Sequence, residues 1–486
     1  MYPIDNNEGW MFAESYYSIN NSPYKDYFSH RLPLFQIIYG VWMNIFNETL
    51  LSMRILSSMF AASAIAIVLY VCRQITNNNV ILIIAAILLW NEVVISTLSK
   101  ALIYPLVSFL FALSLLFLYK FRDNYKKSML AFFFLQMLIW ACQYPVSSQT
   151  VLILIFLVIA LISVKYELVF SIKLISLVAM PIFIIFLYML LKDDYRLIYD
   201  TVVFNLAQVP LMTELNLISE NYDSLFERII DQRKREIKEF LPLIFTFIIA
   251  IFYFLINSLT YLKTWKISWQ AQIYLYSGVY FLGYYGSFFL LGYDYPETKV
   301  YIFFPAMILI TTLFSKIFEN VDKIKQLFIA GLLFVTILFW PYTQGIKQFY
   351  SYNPHDELNA FNSFIYNHVG DGVVFSLNPL VLQGNIQLDP KLSMELYGFI
   401  NDLDDVNADY HHLPNIEDLK NKINNKYYSA ILISPRFSKN KHNTMSRILL
   451  PHFTALMKLI ENNYYLDDTY QSENYVGKVD IFLVKE

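Results

Sequence analysis

Residues 5–39 read DNNEGWMFAESYYSINNSPYKDYFSHRLPLFQIIY, a polar and aromatic stretch that precedes an almost unbroken series of apolar segments. Asp5 and Glu8 stand near its start, and His30 and Arg31 stand near its end. A polar stretch ahead of a run of apolar helices is either a simple connector or the edge of a site. The combination of carboxylates, cations and aromatic rings favours a site.

The composition indicates an integral membrane protein. Of 486 residues, 57% are hydrophobic and 15% are charged, and the mean hydropathy is +0.43; soluble proteins carry about 25% charged residues. A net charge of −3 without a long basic run speaks against nucleic-acid binding. We find no glycine-rich phosphate loop. The two cysteines, Cys72 and Cys142, lack the spacing of metal ligands.

Ten apolar segments are long enough, or nearly so, to cross about 30 Å of hydrocarbon. They cover residues 50–72, 79–96, 102–119, 128–142, 147–164, 168–191, 240–261, 271–292, 299–316 and 325–343. A shorter apolar stretch over 33–46 predicts a helix at the membrane interface. Basic residues concentrate in alternate loops, which is typical of the cytoplasmic side. The opening stretch, the loop 192–239 and the C-terminal tail are therefore predicted to be extracytoplasmic.

From about residue 350 the composition changes to that of a soluble domain. GDGVVFSLN, YYSAILISP and KVDIFLVKE are strand candidates, and LNAFNSFIYNHV and HFTALMKLIENNYYL are helix candidates. Alternating helices and strands predict a small α/β domain. The predicted fold is a mainly α, polytopic membrane protein with about ten transmembrane helices over 50–345. An extracytoplasmic first loop over 1–49 precedes this part, and an extracytoplasmic α/β domain over 346–486 follows it.

Carboxylates and cations in the opening stretch are the first candidates for chemistry. In a helix that begins near Glu8, Asp5 and Glu8 share a side, and either could take a proton from a hydroxyl group. The alternative is that they only cap the helix and interact with its dipole. Arg31, next to His30, could bind a phosphate through its planar fork of donors. The same stretch holds rings that suit sugar stacking: Tyr16, Tyr17, Tyr24, Tyr27 and Phe28.

Three ionisable residues in apolar surroundings, Glu92, Arg54 and Lys100, are further candidates. Such residues in membrane segments are costly and often functional, although long side chains near helix ends also reach the interface without any other role. The adjacent pair His411-His412 has no further ligand at metal-binding spacing. We interpret that pair as part of the surface.

The opening stretch resembles the GT-C glycosyltransferases that use polyprenyl-phosphate sugars. This group includes lipid A aminoarabinose transferases and dolichyl-phosphate-mannose-protein mannosyltransferases, and the resemblance is strongest to the RgtA/B/C/D-like branch. It rests on an acidic Asp-Glu-Gly-type motif, a Tyr-x-Asp-Phe-like element, a Pro-Pro-Leu motif and an arginine that opens the next span. The residues that match are Glu8, Gly9, Trp10, Tyr24, Asp26, Pro33, Leu34 and Arg54.

The sequence departs from that pattern at two positions. Asn7 stands where the family has its aspartate, and Leu32 stands where it has the first proline. A hydrophobic helix normally precedes the acidic motif in the family, and its lack here leaves room for a truncated or a catalytically altered member. With Asn7 in place of aspartate, the catalytic role would pass to Asp5 or Glu8.

The resemblance implies an inverting transferase that moves a hexose or pentose from a polyprenyl-phosphate donor to a glycan, lipid or protein acceptor of the cell envelope. It would be a multi-pass protein of the inner (plasma) membrane, and its partners would be the donor, the bilayer and the acceptor, with no nucleic acid. The catalytic residue would be Asp5 or Glu8. The residues that bind donor phosphate or substrate would be Arg31, His30, Arg54, Lys100, Tyr24 and Asp26. The resemblance implies no certain cofactor and no metal ligand, and it leaves room for a divalent metal.

Two other functions also fit the sequence. A transporter or flippase of lipid-linked sugars would require functional residues near the bilayer midplane and broken helices. The sequence instead concentrates polar residues ahead of the spans, which favours the enzyme. Asn7 favours the other alternative, a catalytically altered GT-C relative whose C-terminal domain binds glycans.

Overall fold

The computed structural model describes most of the chain. The described ranges are 6–89, 92–143, 147–163, 167–192, 196–204, 269–291, 300–339, 354–392, 405–433, 446–471 and 478–485, with isolated positions between 206 and 252. The chain divides into two compact units. The first, which we call the loop unit, comprises Met1–Leu56, Asp194–Leu225 and Ser351–Glu486; the second, the membrane unit, comprises Ser57–Asp193 and Phe226–Tyr350.

Helices dominate both units within the described ranges. The helices are α1 (Asn6–Tyr17), α2 (Leu34–Phe46), α3 (Leu50–Ile75), α4 (Asn79–Leu89), α5 (Glu92–Leu98), α6 (Ile103–Lys120), α7 (Tyr125–Ala141), α8 (Ser148–Ser163), α9 (Leu168–Lys192), α10 (Arg196–Ile198), α11 (Trp269–Leu291), α12 (Val300–Phe318), α13 (Lys323–Phe339), α14 (Pro354–Val369), α15 (Asp405–Tyr410), α16 (Ile416–Asn424) and α17 (Ser446–Asn463). Directly after α10 the chain continues as a π-helical turn over Tyr199–Val203.

The loop unit begins with α1 and α2, which pack closely on each other. Gly40 of α2 permits this, because a Cβ atom there would lie 2.2 Å from the hydroxyl oxygen of Ser18 and 2.7 Å from the carbonyl oxygen of Ser15. The Ser18 hydroxyl also contacts the carbonyl oxygen of Gln36 at 2.9 Å. Apolar side chains remain exposed on the other side of α2, at Ile37, Val41, Ile45 and Phe46. A helix therefore lies over the apolar stretch 33–46, and its interfacial position stays a prediction.

Three helices are long and apolar enough, by length and composition, to cross a membrane. They are α3, α6 and α12, with 26, 18 and 19 residues. Shorter apolar helices cover Leu34–Phe46, Asn79–Leu89, Gln149–Leu161 and Leu168–Pro181. Helices also lie over each of the other apolar segments predicted from the sequence except 240–261, which falls almost entirely outside the described residues. The chain is a polytopic, mostly helical membrane protein with a small C-terminal sheet.

Inside the membrane unit, neutral polar side chains form a continuous hydrogen-bonded chain across five helices. Gln143, near the end of α7, donates to the hydroxyls of Tyr284 on α11 and Tyr301 on α12, at 3.3 and 3.2 Å. Gln149 of α8 receives a bond from Tyr284 at 3.2 Å and donates to Gln136 of α7 at 2.6 Å. Gln136 in turn donates to Ser114 of α6 at 3.0 Å. Hydrogen bonds between polar side chains of neighbouring helices stabilise their packing in an apolar environment.

The C-terminal part forms the predicted α/β domain. Its strands are β1 (Val373–Phe375), β2 (Gln387–Leu388), β3 (Ala430–Ile433), β4 (Tyr464–Gln471) and β5 (Lys478–Val484), in the order β2-β1-β3-β5-β4. β1 pairs in parallel with β2 and β3, and β5 pairs antiparallel with β3 and β4. The three strands predicted from buried apolar runs correspond to β1, β3 and β5.

β4 differs from the prediction. The sequence pattern continued the last helix through Tyr464, Tyr465 and Leu466, whereas the helix ends at Asn463 and a strand follows at once. β4 exposes most of its side chains, so it lacks the apolar pattern of a buried strand. It is held by backbone pairing with β5, a non-local interaction that sequence periodicity does not reveal.

Candidate functional site

Glu8 and Arg54 form a buried ion pair in the loop unit. Arg54 donates from Nε to Oε1 of Glu8 at 2.8 Å and from Nη2 to Oε2 at 2.6 Å. Glu8 is fully buried and Arg54 is 6% exposed. Parallel charge-assisted bonds of this length are among the strongest side-chain contacts. The pair therefore fixes the first turns of α1 to the beginning of α3.

Glu14, further along α1, is a second buried carboxylate with looser contacts. His30 Nδ1 lies 3.3 Å from Glu14 Oε1, and Arg31 Nη1 lies 3.5 Å from Oε2. The hydroxyl of Ser29 donates to Oε1 at 3.3 Å. All three distances exceed the roughly 2.7–2.9 Å of good charge-assisted bonds. We call Glu14, Ser29, His30 and Arg31 the Glu14 cluster.

The backbone of Arg31 is fixed by a network of buried hydrogen bonds. Its carbonyl oxygen accepts a hydrogen bond from the hydroxyl of Tyr24 at 2.6 Å and one from Ser29 at 3.2 Å. Gln36 donates to Ser29 at 3.1 Å, and Tyr27 donates to Gln36 at 2.8 Å. This buried network fixes the position from which the Arg31 side chain extends towards Glu14.

Charge within the Glu14 cluster follows from burial and from these contacts. Burial alone would raise the pKa of Glu14, but the hydrogen bond and charge of His30 and the charge of Arg31 together lower that pKa. Burial and then the Arg31 charge lower the pKa of His30, against the opposing effect of Glu14. Near neutral pH the cluster therefore contains a carboxylate at Glu14, a cation at Arg31 and a neutral imidazole at His30.

The C-terminal domain packs directly on α1. The hydroxyl of Tyr17 donates to the carbonyl oxygen of Leu388 at 3.2 Å. Gln383, in the 3-10 helix Pro379–Gly384, accepts a hydrogen bond from the backbone N–H of Leu50 at 3.0 Å. That 3-10 helix packs against both α1 and α14. The domain therefore forms part of the surroundings of the two carboxylates of α1.

His355, at the start of α14, lies within the electrostatic reach of the Glu8–Arg54 pair. It is 5% exposed. Burial first, and then the charge of Arg54, lower the pKa of His355 to about 4, although Glu8 and Asp356 oppose the shift. His355 is therefore a neutral imidazole near neutral pH, and sequence analysis did not connect it with the opening stretch.

A third buried pair joins Asp200 of the π-helical turn to His411. The two side chains meet at 3.1 Å through Oδ1 and Nδ1, and the ring of Tyr199 stacks on His411 with 3.7 Å between ring centroids. Asp200 is fully buried and His411 is 7% exposed. The interpretation of His411 as a surface residue was therefore wrong, because the partner that buries it comes from a distant part of the sequence.

The loop unit thus brings together several of the residues predicted for a site. Glu8 and Arg54 contact each other, and His30 and Arg31 meet at Glu14. Asp26 is exposed and accepts a hydrogen bond from the backbone N–H of Ser22 at 2.7 Å, which closes a turn. In that turn Tyr24 adopts a left-handed φ of 66°.

Two predicted residues lie elsewhere. Lys100 belongs to the membrane unit and is half-buried in the turn after α5. Asp5 lies outside the described residues. Within the described ranges, no three His, Cys, Asp or Glu side chains are grouped so that they could hold a metal ion.

Comparison with solved structures identifies the architecture. The chain matches ArnT from Cupriavidus metallidurans bound to undecaprenyl phosphate with a TM-score of 0.56 and 10% identity, over 99% of this chain and 94% of that one. It also matches the Archaeoglobus fulgidus oligosaccharyltransferase, in complex with zinc and sulfate, with a TM-score of 0.53 and 11% identity, over 98% of this chain and 69% of that one. The chain has the GT-C fold.

The GT-C resemblance stated from the first 70 or so residues is thus confirmed at the level of the fold, and across nearly the whole chain. No protein-family model and no curated protein sequence matches the chain. At 10–11% identity, the structural match does not assign a role to any individual residue.

Sequence reasoning missed Glu14, Ser29, Gln36, His355 and Asp200 as parts of the GT-C loop unit. A weak signal existed for Glu14, because it is an acidic residue in a helix that the acidic motif opens, and Trp10, Met11, Phe12 and Ala13 precede it in an apolar run. A carboxylate directly after such a run is buried with it and requires a cation as partner. The remaining residues are brought close only by the fold.

Proposed function

We propose that the protein is a membrane glycosyltransferase that takes a sugar from a polyprenyl-phosphate donor and transfers it, with inversion, to a cell-envelope acceptor. The observation that carries the proposal is the match over 99% of the chain to a fold that, in ArnT, binds undecaprenyl phosphate. It is supported by the placement of buried carboxylates beside arginines in the segment that sequence analysis had chosen. The donor is a hexosyl or pentosyl polyprenyl phosphate, and the acceptor is a glycan, lipid or protein.

The proposed step has a simple balance of atoms. A hydroxyl oxygen of the acceptor attacks the anomeric carbon, and the bond between that carbon and the phosphate oxygen breaks. The leaving polyprenyl phosphate takes the bonding electron pair, and its developing charge is stabilised by a guanidinium group. The hydroxyl proton passes to a carboxylate base. No water, oxidant or nucleotide is required.

We assign the base to Glu8 or Asp5. Arg54 binds both oxygens of Glu8, yet a carboxylate has about four lone-pair sites and can still accept a proton or a hydrogen bond at the remaining ones. Arg54 in this arrangement orients the base. Asp5 precedes α1 by one residue, so it is the second candidate for the same task.

We assign the donor phosphate to Arg31 and His30. Arg31 has a planar fork that suits a phosphate, and it lies beside the buried carboxylate of Glu14, 3.5 Å from Nη1 to Oε2. Lys100 is a further candidate cation, and Tyr24 supports this site by holding the Arg31 backbone. Asp26 supports it by closing the turn that carries Tyr24.

We further propose that the chain crosses the plasma membrane about ten times, with the opening loop and the C-terminal domain extracytoplasmic. The alternation of basic loops in the sequence supports this topology. It also places the carboxylates of α1 on the side where a flipped lipid-linked donor would be used.

One observation favours transfer over transport. Among the described residues, every buried carboxylate, guanidinium and imidazole belongs to the loop unit. The buried polar chain of the membrane unit consists of uncharged glutamine, tyrosine and serine side chains. A flippase for a charged lipid phosphate would require charged groups near the bilayer midplane.

The test is transfer of radiolabelled sugar from polyprenyl-phosphate donors in membranes that contain the wild-type protein. We expect incorporation into an envelope fraction, and we expect Glu8→Gln or Asp5→Asn to abolish it. Parallel samples with and without a chelator show whether a divalent metal is needed. If both variants keep full activity, the base is not in this segment. If wild-type membranes transfer no sugar but move the lipid-linked donor between leaflets, the protein is a flippase.

A further inference from the structure

We infer that Gln383 of the C-terminal domain is a positioning residue for Arg54 and, through Arg54, for the proposed base Glu8. The inference rests on the proposed function and deepens it, because it makes the C-terminal domain part of the catalytic arrangement. Gln383, Arg54 and Glu8 all belong to the loop unit. A chain of hydrogen bonds leads from the amide of Gln383 to the carboxylate of Glu8.

The first link is the bond between Gln383 and the N-terminus of α3. The Oε1 atom of Gln383 accepts a hydrogen bond from the backbone N–H of Leu50 at 3.0 Å. Leu50 is the first residue of α3 and is fully buried. The first N–H groups of a helix have no partner within the helix, and a buried N–H without a partner is costly. Gln383 therefore satisfies a donor that neither α3 nor solvent can satisfy.

The second link runs through the first turn of α3. Arg54 follows Leu50 by four residues, so in an α-helix its backbone N–H bonds to the carbonyl oxygen of Leu50. The guanidinium of Arg54 in turn holds both carboxylate oxygens of Glu8, at 2.8 and 2.6 Å. A displacement of the first turn of α3 would therefore displace the carboxylate that is assigned as base.

Gln383 is itself held on a fixed support within the C-terminal domain. Its Nε2 atom donates to Oδ1 of Asn359 on α14 at 2.8 Å. The 3-10 helix that carries Gln383 lies so close to α14 that a Cβ atom at Gly384 would be 2.8 Å from the Cβ atom of Asn362. Asn362 also donates from Nδ2 to the carbonyl oxygen of Leu380 at 3.1 Å. The amide of Gln383 is therefore presented to α3 in one place.

The helix that anchors Gln383 also lies beside the Glu8–Arg54 pair. His355 and Asn359 are four residues apart on α14, so they share one face of that helix. The charges of Arg54 and Glu8 both act on His355. The face of α14 that holds Gln383 is therefore close to the pair that Gln383 supports.

Other contacts keep the first turn of α3 folded when Gln383 is altered. The N–H of Ser52 donates to the hydroxyl oxygen of Thr49 at 3.2 Å, and the carbonyl oxygen of Ser52 accepts a bond from Nε1 of Trp42 at 3.0 Å. Both contacts act on Ser52, whereas Gln383 acts on Leu50. Loss of the Gln383 bond should therefore shift the turn without unfolding it, and activity should suffer more than stability.

The test compares two substitutions at Gln383 in the full-length protein in lipid nanodiscs. Gln383→Met keeps the length of the side chain and removes the strong acceptor, whereas Gln383→Glu keeps an oxygen that can accept from Leu50. We expect Gln383→Met to lower kcat for sugar transfer about tenfold, less than the roughly hundredfold loss that a misplacement of about 1 Å can cause. KM for the radiolabelled polyprenyl-phosphate sugar that the wild type uses should not change. Gln383→Glu should restore kcat.

Hydrogen–deuterium exchange of the backbone amides gives a second readout that does not depend on activity. We expect faster exchange in peptides that cover residues 47–56 in Gln383→Met, and wild-type exchange in Gln383→Glu. Tyr428→Phe is the matched control, because it removes a buried bond of 2.9 Å to Asp389 in the same domain. This control should lower the unfolding temperature and leave both kcat and exchange at α3 unchanged.

Unchanged exchange at α3 in Gln383→Met would overturn the inference, and so would faster exchange with an unchanged kcat. Either result would leave the transferase proposal standing. If Gln383→Met fails to fold, Gln383→Asn replaces it, because asparagine keeps the amide but is too short by one methylene, and the same loss of kcat is expected. Absence of sugar transfer by the wild-type protein would instead count against the proposed function, and with it this inference.

Discussion

The two carboxylates of α1, Glu8 and Glu14, contact arginines with different geometries. Glu8 and Arg54 share two short bonds at 2.8 and 2.6 Å, whereas Glu14 and Arg31 share one contact of 3.5 Å supported by His30 and Ser29. Both carboxylates are buried to the same degree, so desolvation does not distinguish them. The difference lies in geometry. The short bidentate pair joins the first turns of α1 to the beginning of α3, whereas the longer contact joins α1 to the segment that precedes α2.

Removal of one partner of the Glu8–Arg54 pair should lower the stability of the protein most. Arg54→Ala leaves the carboxylate of Glu8 buried without its guanidinium, and removal of one partner of a buried pair costs about 3–5 kcal/mol. We expect a large drop in the unfolding temperature, measured by fluorescence during heating in nanodiscs, and poor yield in membranes. An unfolding temperature equal to that of the wild type would show that the pair contributes little to folding.

The double variant Glu8→Leu with Arg54→Met separates the two roles assigned to Glu8. Replacement of both members of a buried pair by apolar groups of similar volume is often neutral for stability. We expect the unfolding temperature to return close to that of the wild type while sugar transfer stays absent, because the base is gone. If the double variant transfers sugar at the wild-type rate, Glu8 is only structural and Asp5 becomes the candidate base.

Substitutions in the Glu14 cluster should have the opposite balance of effects, with a large loss of activity and a small loss of stability. We expect Arg31→Lys to lower kcat/KM for the polyprenyl-phosphate donor about a hundredfold, the loss seen when one donor to a developing anion is removed. Lysine keeps the charge near Glu14 but lacks the planar fork. The unfolding temperature measured in parallel should change much less than in Arg54→Ala. Equal losses of stability in the two variants would remove the distinction between the pairs.

The sequence was sufficient to predict the membrane class, most helices and the three core strands, because these depend on local apolar runs. It also indicated a segment whose charged residues meet in the structure, since Glu8 pairs with Arg54, and His30 and Arg31 both contact Glu14; their roles in a site stay a prediction. The sequence could not predict which charged side chains contact each other. Arg54 and Glu8 are 46 residues apart in the sequence, and His411 and Asp200 are 211 residues apart. No local pattern indicates which side chain contacts which carboxylate across such separations. The same limit explains why β4 was assigned to a helix.

The third buried pair, Asp200 and His411, allows a test of whether a buried pair outside α1 also stabilises the fold without taking part in substrate binding. Asp200→Asn keeps the shape of the side chain and removes the charge that faces His411. We expect a loss of about 1–3 kcal/mol, the cost of weakening a hydrogen bond to a charged group in a buried position. The unfolding temperature should fall, and KM for the donor should stay at its wild-type value. A raised KM with unchanged stability would place Asp200 in the substrate site.

The smallest expected effect concerns His355, which lies near the Glu8–Arg54 pair and not the Glu14 cluster. The pKa of His355 is lowered from 6.5 to about 4 in the folded protein. As the pH falls, the unfolded chain therefore binds a proton at this side chain at a higher pH than the folded protein does. The stability that depends on a neutral His355 is therefore complete above pH 6.5 and is lost as the pH falls towards 4. His30 and His412, whose pKa values are also lowered, contribute in the same direction. We expect His355→Asn, which cannot titrate, to make the fall in unfolding temperature over this range shallower by about 2 °C. Parallel curves for the wild type and the variant would mean that the pKa of His355 is the same in the folded and the unfolded protein.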